Sequence, residues 1–147
     1  MNTARASTPG DRIAAEVDRH GPRALTGGCV ALLEGRPGDV SDRLITVFGG
    51  DSARYVIDGG EGGRAGYWPR VWGARGLLHE WDPAATAAII SAAGDESWRV
   101  REMAAKVIAR HQVGDALTAV AALRDDEVAR VRAAAARAVT VLTAAGA

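Results

Sequence analysis

One cysteine, Cys29, occurs in 147 residues, which excludes an intrachain disulfide and a thiolate metal cluster. A lone thiol of this kind fits a reducing compartment and reads as a small apolar core side chain. Charge of either sign is not in excess: 18 basic and 18 acidic residues cancel, so the molecule as a whole has no pull toward nucleic acid or anionic lipid. No run approaches the roughly 18 apolar residues of a membrane span. Met1 to Gly10 is polar and small, which predicts a flexible tail over 1–10 and not a secretion signal. These features together place the protein in the cytoplasm. Period-2 alternation bounded by hairpin turns is nearly missing, so strands are not expected. His20, His79 and His111 are scattered without metal-ligand spacing, and there is no HExxH, Cys-x2-Cys, GxGxxG, GxxxxGK[ST] or GxSxG motif. Neither a metal, a cofactor nor a catalytic residue is therefore expected. Lysine is almost unused: Lys106 stands beside 17 arginines in a chain crowded with Ala and Gly, which suggests a high-GC genome.

What the chain does contain is a repeat. Arg70, Arg101 and Arg132 are spaced by 31 residues twice over, and the residues from Asp95 to Ile108 match those from Asp126 to Val139 with identity at seven of the fourteen positions. A period of this length means one supersecondary unit that cannot bury its apolar face alone and must stack on its neighbours.

Asp11 to Arg19 has the apolar spacing of a short helix closed by Gly21-Pro22, and Arg23 to Leu33 is a second candidate weakened by Gly27-Gly28. Asp39 to Phe48 carries one apolar face, and Asp51 is positioned to cap a following helix. Five glycines in Gly59 to Gly66 predict a flexible loop or hinge. Beyond it, helices are predicted over Trp68 to Trp81, Pro83 to Ala93 with Asp82 as cap, Ser97 to Arg110, Asp115 to Arg124 and Val128 to Leu142. The organisation read from this is an irregular helical segment over 11–58 packed on the array, a loop over 59–66, and repeats over 67–94, 95–125 and a partial 126–147.

The pattern Asp-x5-Arg, with Val before the Arg and paired Ala three and four residues after it, resembles the short HEAT-like repeat of the phycobilisome-lyase type. Asp95/Arg101/Ala104/Ala105 and Asp126/Arg132/Ala135/Ala136 carry it. The copy around Arg70 is divergent, with Pro69 for Val, Gly73 for the first Ala and Arg64 for Asp. The chain is similar to small HEAT-repeat proteins of actinobacteria. The resemblance implies an all-α fold, an α-solenoid of antiparallel helix pairs forming a HEAT-like superhelix, with no defined reaction. It also implies a structural ladder of Asp95, Arg101, Asp126 and Arg132, in which Asp95 is expected to pair with Arg132.

The function expected is a non-enzymatic scaffold that binds a protein partner of unknown identity. Its candidate contacts are Trp68, Trp72 and Trp98, which belong to a cluster of four tryptophans within 31 residues and either plug the space left by small Ala and Gly neighbours or form an interface patch, together with Ala87, Ile90 and Thr118 on the second helices. Pro83 to Ala93 has no charge at all, so it is either covered by the N-terminal segment or a contact patch. Under the 31-residue period Trp98 falls over Tyr67, which predicts stacked aromatics. A second reading is a nucleic-acid face of Arg75, Arg99, Lys106, Arg130 and Arg137, set against a solvated face in which Glu102 neutralises its neighbours. From Arg64 onward the basic surplus is only two, 11 against 9. A lyase-type activity and small-ligand binding at the Trp cluster are lesser alternatives. The expected partners include no membrane.

Overall fold

The structure is a computed structural model that describes residues 7–146. Nine α-helices, α1 (Pro9–His20), α2 (Pro22–Leu33), α3 (Asp42–Gly49), α4 (Ala53–Ile57), α5 (Tyr67–His79), α6 (Thr86–Ala92), α7 (Trp98–His111), α8 (Leu117–Ala122) and α9 (Ala129–Ala145), are joined by short connections, most of them with a 3-10 turn, and no strand occurs among the described residues. Helices α2, α5, α7 and α9 pack in succession as one row. Behind it, α6 packs on α7 and α8 on α9, forming a second layer, while α1 and α3 lie over α2 and α5.

Each boundary has a local cause. The tail expected over 1–10 is corrected where it is described. Thr8 and Asp11 form a reciprocal capping box, with Asp11 N–H donating to Thr8 Oγ1 at 3.1 Å, and Pro9 opens the helix. Ser41 caps α3 three residues later than the apolar pattern suggested, because Pro37–Asp39 folds as a separate 3-10 turn. Asp51 does not cap α4, which continues from the 3-10 turn Gly50–Ser52. Asp82 caps as expected, accepting from Ala84 N–H at 2.8 Å.

The glycine run has a defined fold. Residues 60–65 form tight turns packed on α4, with Gly59, Glu61, Gly62 and Gly63 at positive φ and Gly63 buried. Glu61 tolerates φ 54° only as one left-handed residue among glycines. Arg64 also ties the turn to Asp42 of α3.

The core runs the length of the row: Leu25, Cys29 and Leu32 of α2, Phe48 of α3, Leu77 of α5, Val100 and Ile108 of α7, and Val131 of α9 are all essentially inaccessible. Burial pushes the Cys29 thiol far above its ordinary pKa, so it is inert packing. The glycines that weaken the helix propensity of α2 and α5 are the seam between them and the N-terminal segment. A Cβ on Gly28 would lie 2.6 Å from Leu44 Cδ2 of α3, and one on Gly73 would lie 2.9 Å from the Cys29 carbonyl oxygen and 3.0 Å from Leu32 Cβ. Close helix approach outweighs propensity here.

Gly73→Ala should therefore destabilise by about 1–3 kcal/mol, because the clash with a backbone oxygen exceeds the gain of about 1 kcal/mol from helix propensity. Gly27, also inside α2, has nothing near its missing Cβ. Gly27→Ala should stabilise by about 0.5–1 kcal/mol. Urea midpoints of the two variants check the pair, and a stabilised Gly73→Ala would contradict the seam.

Candidate functional site

The joints between repeats come first, because they place everything else. Arg70 on α5 reaches forward to Asp95, with Nε at 2.8 Å and Nη2 at 3.2 Å from the two carboxylate oxygens, and holds Gly66 O at 3.2 Å with Nη1. Arg101 on α7 repeats the arrangement with Asp126 at 2.8 and 3.2 Å, and donates to Asp95 O and Glu96 O. Each Asp also accepts from the backbone at the start of its own repeat, Asp95 from Ser97 N–H at 2.8 Å and Asp126 from Val128 N–H at 2.9 Å. One guanidinium thus ties the loop before its own helix to the loop before the next.

The expected pairing of Asp95 with Arg132 is corrected. The ladder runs from the Arg of one repeat to the Asp of the following repeat, since the Arg side chain projects from the first turn of its helix toward the next loop. Arg132 makes the inward half of the joint, donating to Asp126 O at 2.7 Å, and is otherwise exposed. The divergent Arg70 copy keeps its forward bond although Arg64 replaces its own Asp, because that bond needs only the Asp of the next unit.

The four tryptophans do not form one patch. Trp72 is buried at 3% exposure against Gly49, so it is core and not a partner contact: the missing Cβ at Gly49 makes room for its ring. Trp81 stacks on His111 with centroids 5.1 Å apart, and His111 Nε2 lies 2.8 Å from Leu77 O. Trp68 and Trp98 are half-buried. Tyr67 and Trp98 are not stacked on each other as the period suggested. Arg99 stands between repeats instead, its guanidinium carbon 5.5 Å from the Tyr67 ring, 5.6 Å from Trp68 and 4.6 Å from Trp98, and Arg130 lies 5.4 Å over the far repeat's side of Trp98. Each such contact is worth about 0.5–1 kcal/mol at a partly exposed site.

The basic column is largely occupied within the molecule. Arg75 is not on a nucleic-acid face: its Nη2 donates to Phe48 O at the end of α3 at 2.6 Å, and burial, then the neighbouring Arg12 charge, lowers its pKa. Arg12 completes the same cap by donating to Val47 O at 2.8 Å, so two cations meet the negative end of α3. Lys106 and Arg130 converge on Glu102, at 3.0 Å from Oε1 and 2.8 Å from Oε2 respectively, and that carboxylate is buried between α7 and α9. Arg137 is exposed and has no carboxylate within reach among the described residues.

On the second layer, Ala87 of α6 and Thr118 of α8 are exposed and exactly one period apart, as are Ser91 and Ala122, while Ile90 and Ala121 are both half-buried. Neither α6 nor α8 contains a charged residue. Sequence reasoning missed Leu117, an exposed large apolar side chain of this face, although its position one period after Thr86 marks it. It also missed Arg110, which sits one helical turn beyond Lys106 on α7.

A row of stacked helices keyed by recurring Arg-to-Asp joints defines a helical-repeat protein. The sequence over residues 70–140 matches the family model of HEAT repeats. Residues 70–140 are thus a HEAT-repeat array, and HEAT repeats generally mediate protein-protein interaction or scaffolding. No curated protein and no solved structure matches it. No helix is long and apolar enough to cross a membrane among the described residues.

The joints make a testable claim about stability. Hydrogen bonding from Arg101, and then from Val128 N–H, lowers the Asp126 pKa despite burial, so the folded state binds fewer protons than the unfolded chain near the ordinary carboxylate value of 3.8. Stability from this group is present above about pH 4 and lost as pH falls through the folded pKa. Asp126→Asn should cost about 3 kcal/mol at pH 7, with the deficit shrinking toward pH 3, whereas Arg132→Ala should change stability by less than about 0.5 kcal/mol. Thermal unfolding at the two pH values reads both, and equal effects of the two variants would contradict the forward pairing.

Proposed function

We propose that this chain is a non-enzymatic, cytoplasmic scaffold module that holds a protein partner against its second layer, on α6 and α8. The observation that supports this most is the recurrence of exposed, uncharged positions at one period: Ala87 with Thr118, Ser91 with Ala122, beside exposed Leu117. Small side chains on successive helices make a surface that a partner can approach closely without desolvating charge. Ile90 and Ala121 supply the apolar centre of that face, and Asp82, Asp115 and Arg124 at the helix margins supply its polar rim. Trp68 and Trp98 contribute less, since Arg99 occupies the space between them.

The nucleic-acid reading is the weaker one. Arg75, Arg99, Lys106 and Arg130 are engaged by a carbonyl, aromatic rings or Glu102, which leaves few cations for phosphates.

Photo-crosslinking residues introduced singly at Ala87 and Thr118 should give the same crosslinked protein in the native host, with no such product from the exposed Glu96 on the far loops. Leu117→Glu should abolish that product while the circular dichroism spectrum stays unchanged. Equal crosslinking from all three positions, or none from Ala87 and Thr118, would overturn the assignment to this face.

A further inference from the structure

A groove of about 570 Å³ runs between α7 and α9, on the other side of the row from α6 and α8. Its walls carry four cations, Lys106 and Arg110 on α7 and Arg130 and Arg137 on α9, against one carboxylate, Glu102. Its floor is apolar, made by Leu78 at the end of α5, Ala109, Ala133 and Val141. Glu102 engages Lys106 and Arg130, while Arg110 and Arg137 are exposed and have no carboxylate within ion-pair distance among the described residues.

The molecule contains a covered version of the same face. Stepping back one period from Lys106 gives Arg75, from Arg110 gives His79, and from Met103 gives Trp72, all on α5. There the N-terminal segment covers part of the surface: Phe48 O of α3 takes the Arg75 guanidinium and Gly49 lies on Trp72, while His79 stays exposed beside Gly10 of α1. The cover thus buries Trp72 and meets the Arg75 guanidinium with the carbonyl end of α3, which Arg12 shares. On α7 and α9 the equivalent positions are open.

We propose that the groove between α7 and α9 holds an acidic amphipathic segment of a protein partner. Its apolar side chains would fill the floor, and its carboxylates would meet Arg110 and Arg137. Two features favour a peptide over nucleic acid. The floor offers apolar contact that phosphates cannot use, and Glu102 already engages Lys106 and Arg130, so only Arg110 and Arg137 remain for an anion, too few for a phosphate backbone. This surface is separate from the α6 and α8 face, and the two assignments stand or fall independently.

The test uses the full chain and a fluorescein-labelled peptide of Glu, Ala and Leu with Leu at helical spacing, followed by fluorescence anisotropy at low and raised salt. Saturable binding that weakens with salt is expected. Binding should fall at least about tenfold in the Arg110→Glu, Arg137→Glu double variant, and by a smaller factor in Arg137→Gln, which keeps the fold at no ion-pair cost. The same peptide with Lys for Glu should not bind, and Leu117→Glu on the other face should bind normally, which separates this result from the fate of the α6 and α8 reading. The proposal is overturned by absent saturable binding, by unchanged binding in the folded double variant, or by a single-stranded or duplex oligonucleotide that displaces the peptide and binds more tightly.

Discussion

A bidentate guanidinium-carboxylate bond between consecutive repeats, Arg70 to Asp95 and Arg101 to Asp126, fixes how one helix sits against the next. These pairs are mostly withdrawn from solvent, with side-chain exposures of 16% and 13% for the first and 13% and 7% for the second. At such depth the planar fork contributes geometry as much as energy, since both nitrogens must meet both oxygens at once. Backbone donors at Ser97 and Val128 hold each carboxylate from behind, so the angle between repeats is set by hydrogen-bond geometry on both sides of the carboxylate. The row of α5, α7 and α9, and therefore the α6 and α8 face and the groove beside it, inherits its register from these joints.

The N-terminal segment joins the row by a different device. No Arg-to-Asp joint connects α2 to α5; shape does. Gly73 and Gly76 remove side chains where Cys29 and Leu32 come in, and Gly28 does the same for Leu44. The cap on α3 by Arg12 and Arg75 then places two cations at a helix end in place of the missing ladder rung. The consequence is that α2 meets α5 by shape alone, while α5, α7 and α9 are keyed to one another by charge pairs as well as packing.

How far the sequence exposed this depends on which force acted. The repeat, the helices after residue 66 and the roles of Asp82, Asp95, Asp126 and Arg101 were legible because capping and periodicity are local and repeated. The direction of the ladder was not, because a period fixes that Arg and Asp recur but not which neighbour each faces. Continuous α2 was doubtful because propensity counts Gly27-Gly28 as a penalty, while the close approach of Leu44 that uses Gly28 is a tertiary fact. The sequence left Trp72 open between core and surface and put Arg75 on a surface face for the same reason: the helices that cover them come from a segment where the repeat is weak or lost. Lys106, Arg130 and Arg137 shared a face in the sequence, but only the packing of α9 on α7 made that face a groove with Arg110 and Glu102 in it.

Because every rung links an arginine to the aspartate one unit ahead, the joint does not distinguish its neighbours. Were the 31 residues from Asp95 to Asp125 excised, Arg70 would meet Asp126 with the same fork, the same acceptor and the same backbone donor behind it. Length in such an array is then free to change by whole units through recombination, while any shorter gain or loss would leave a guanidinium without its acid.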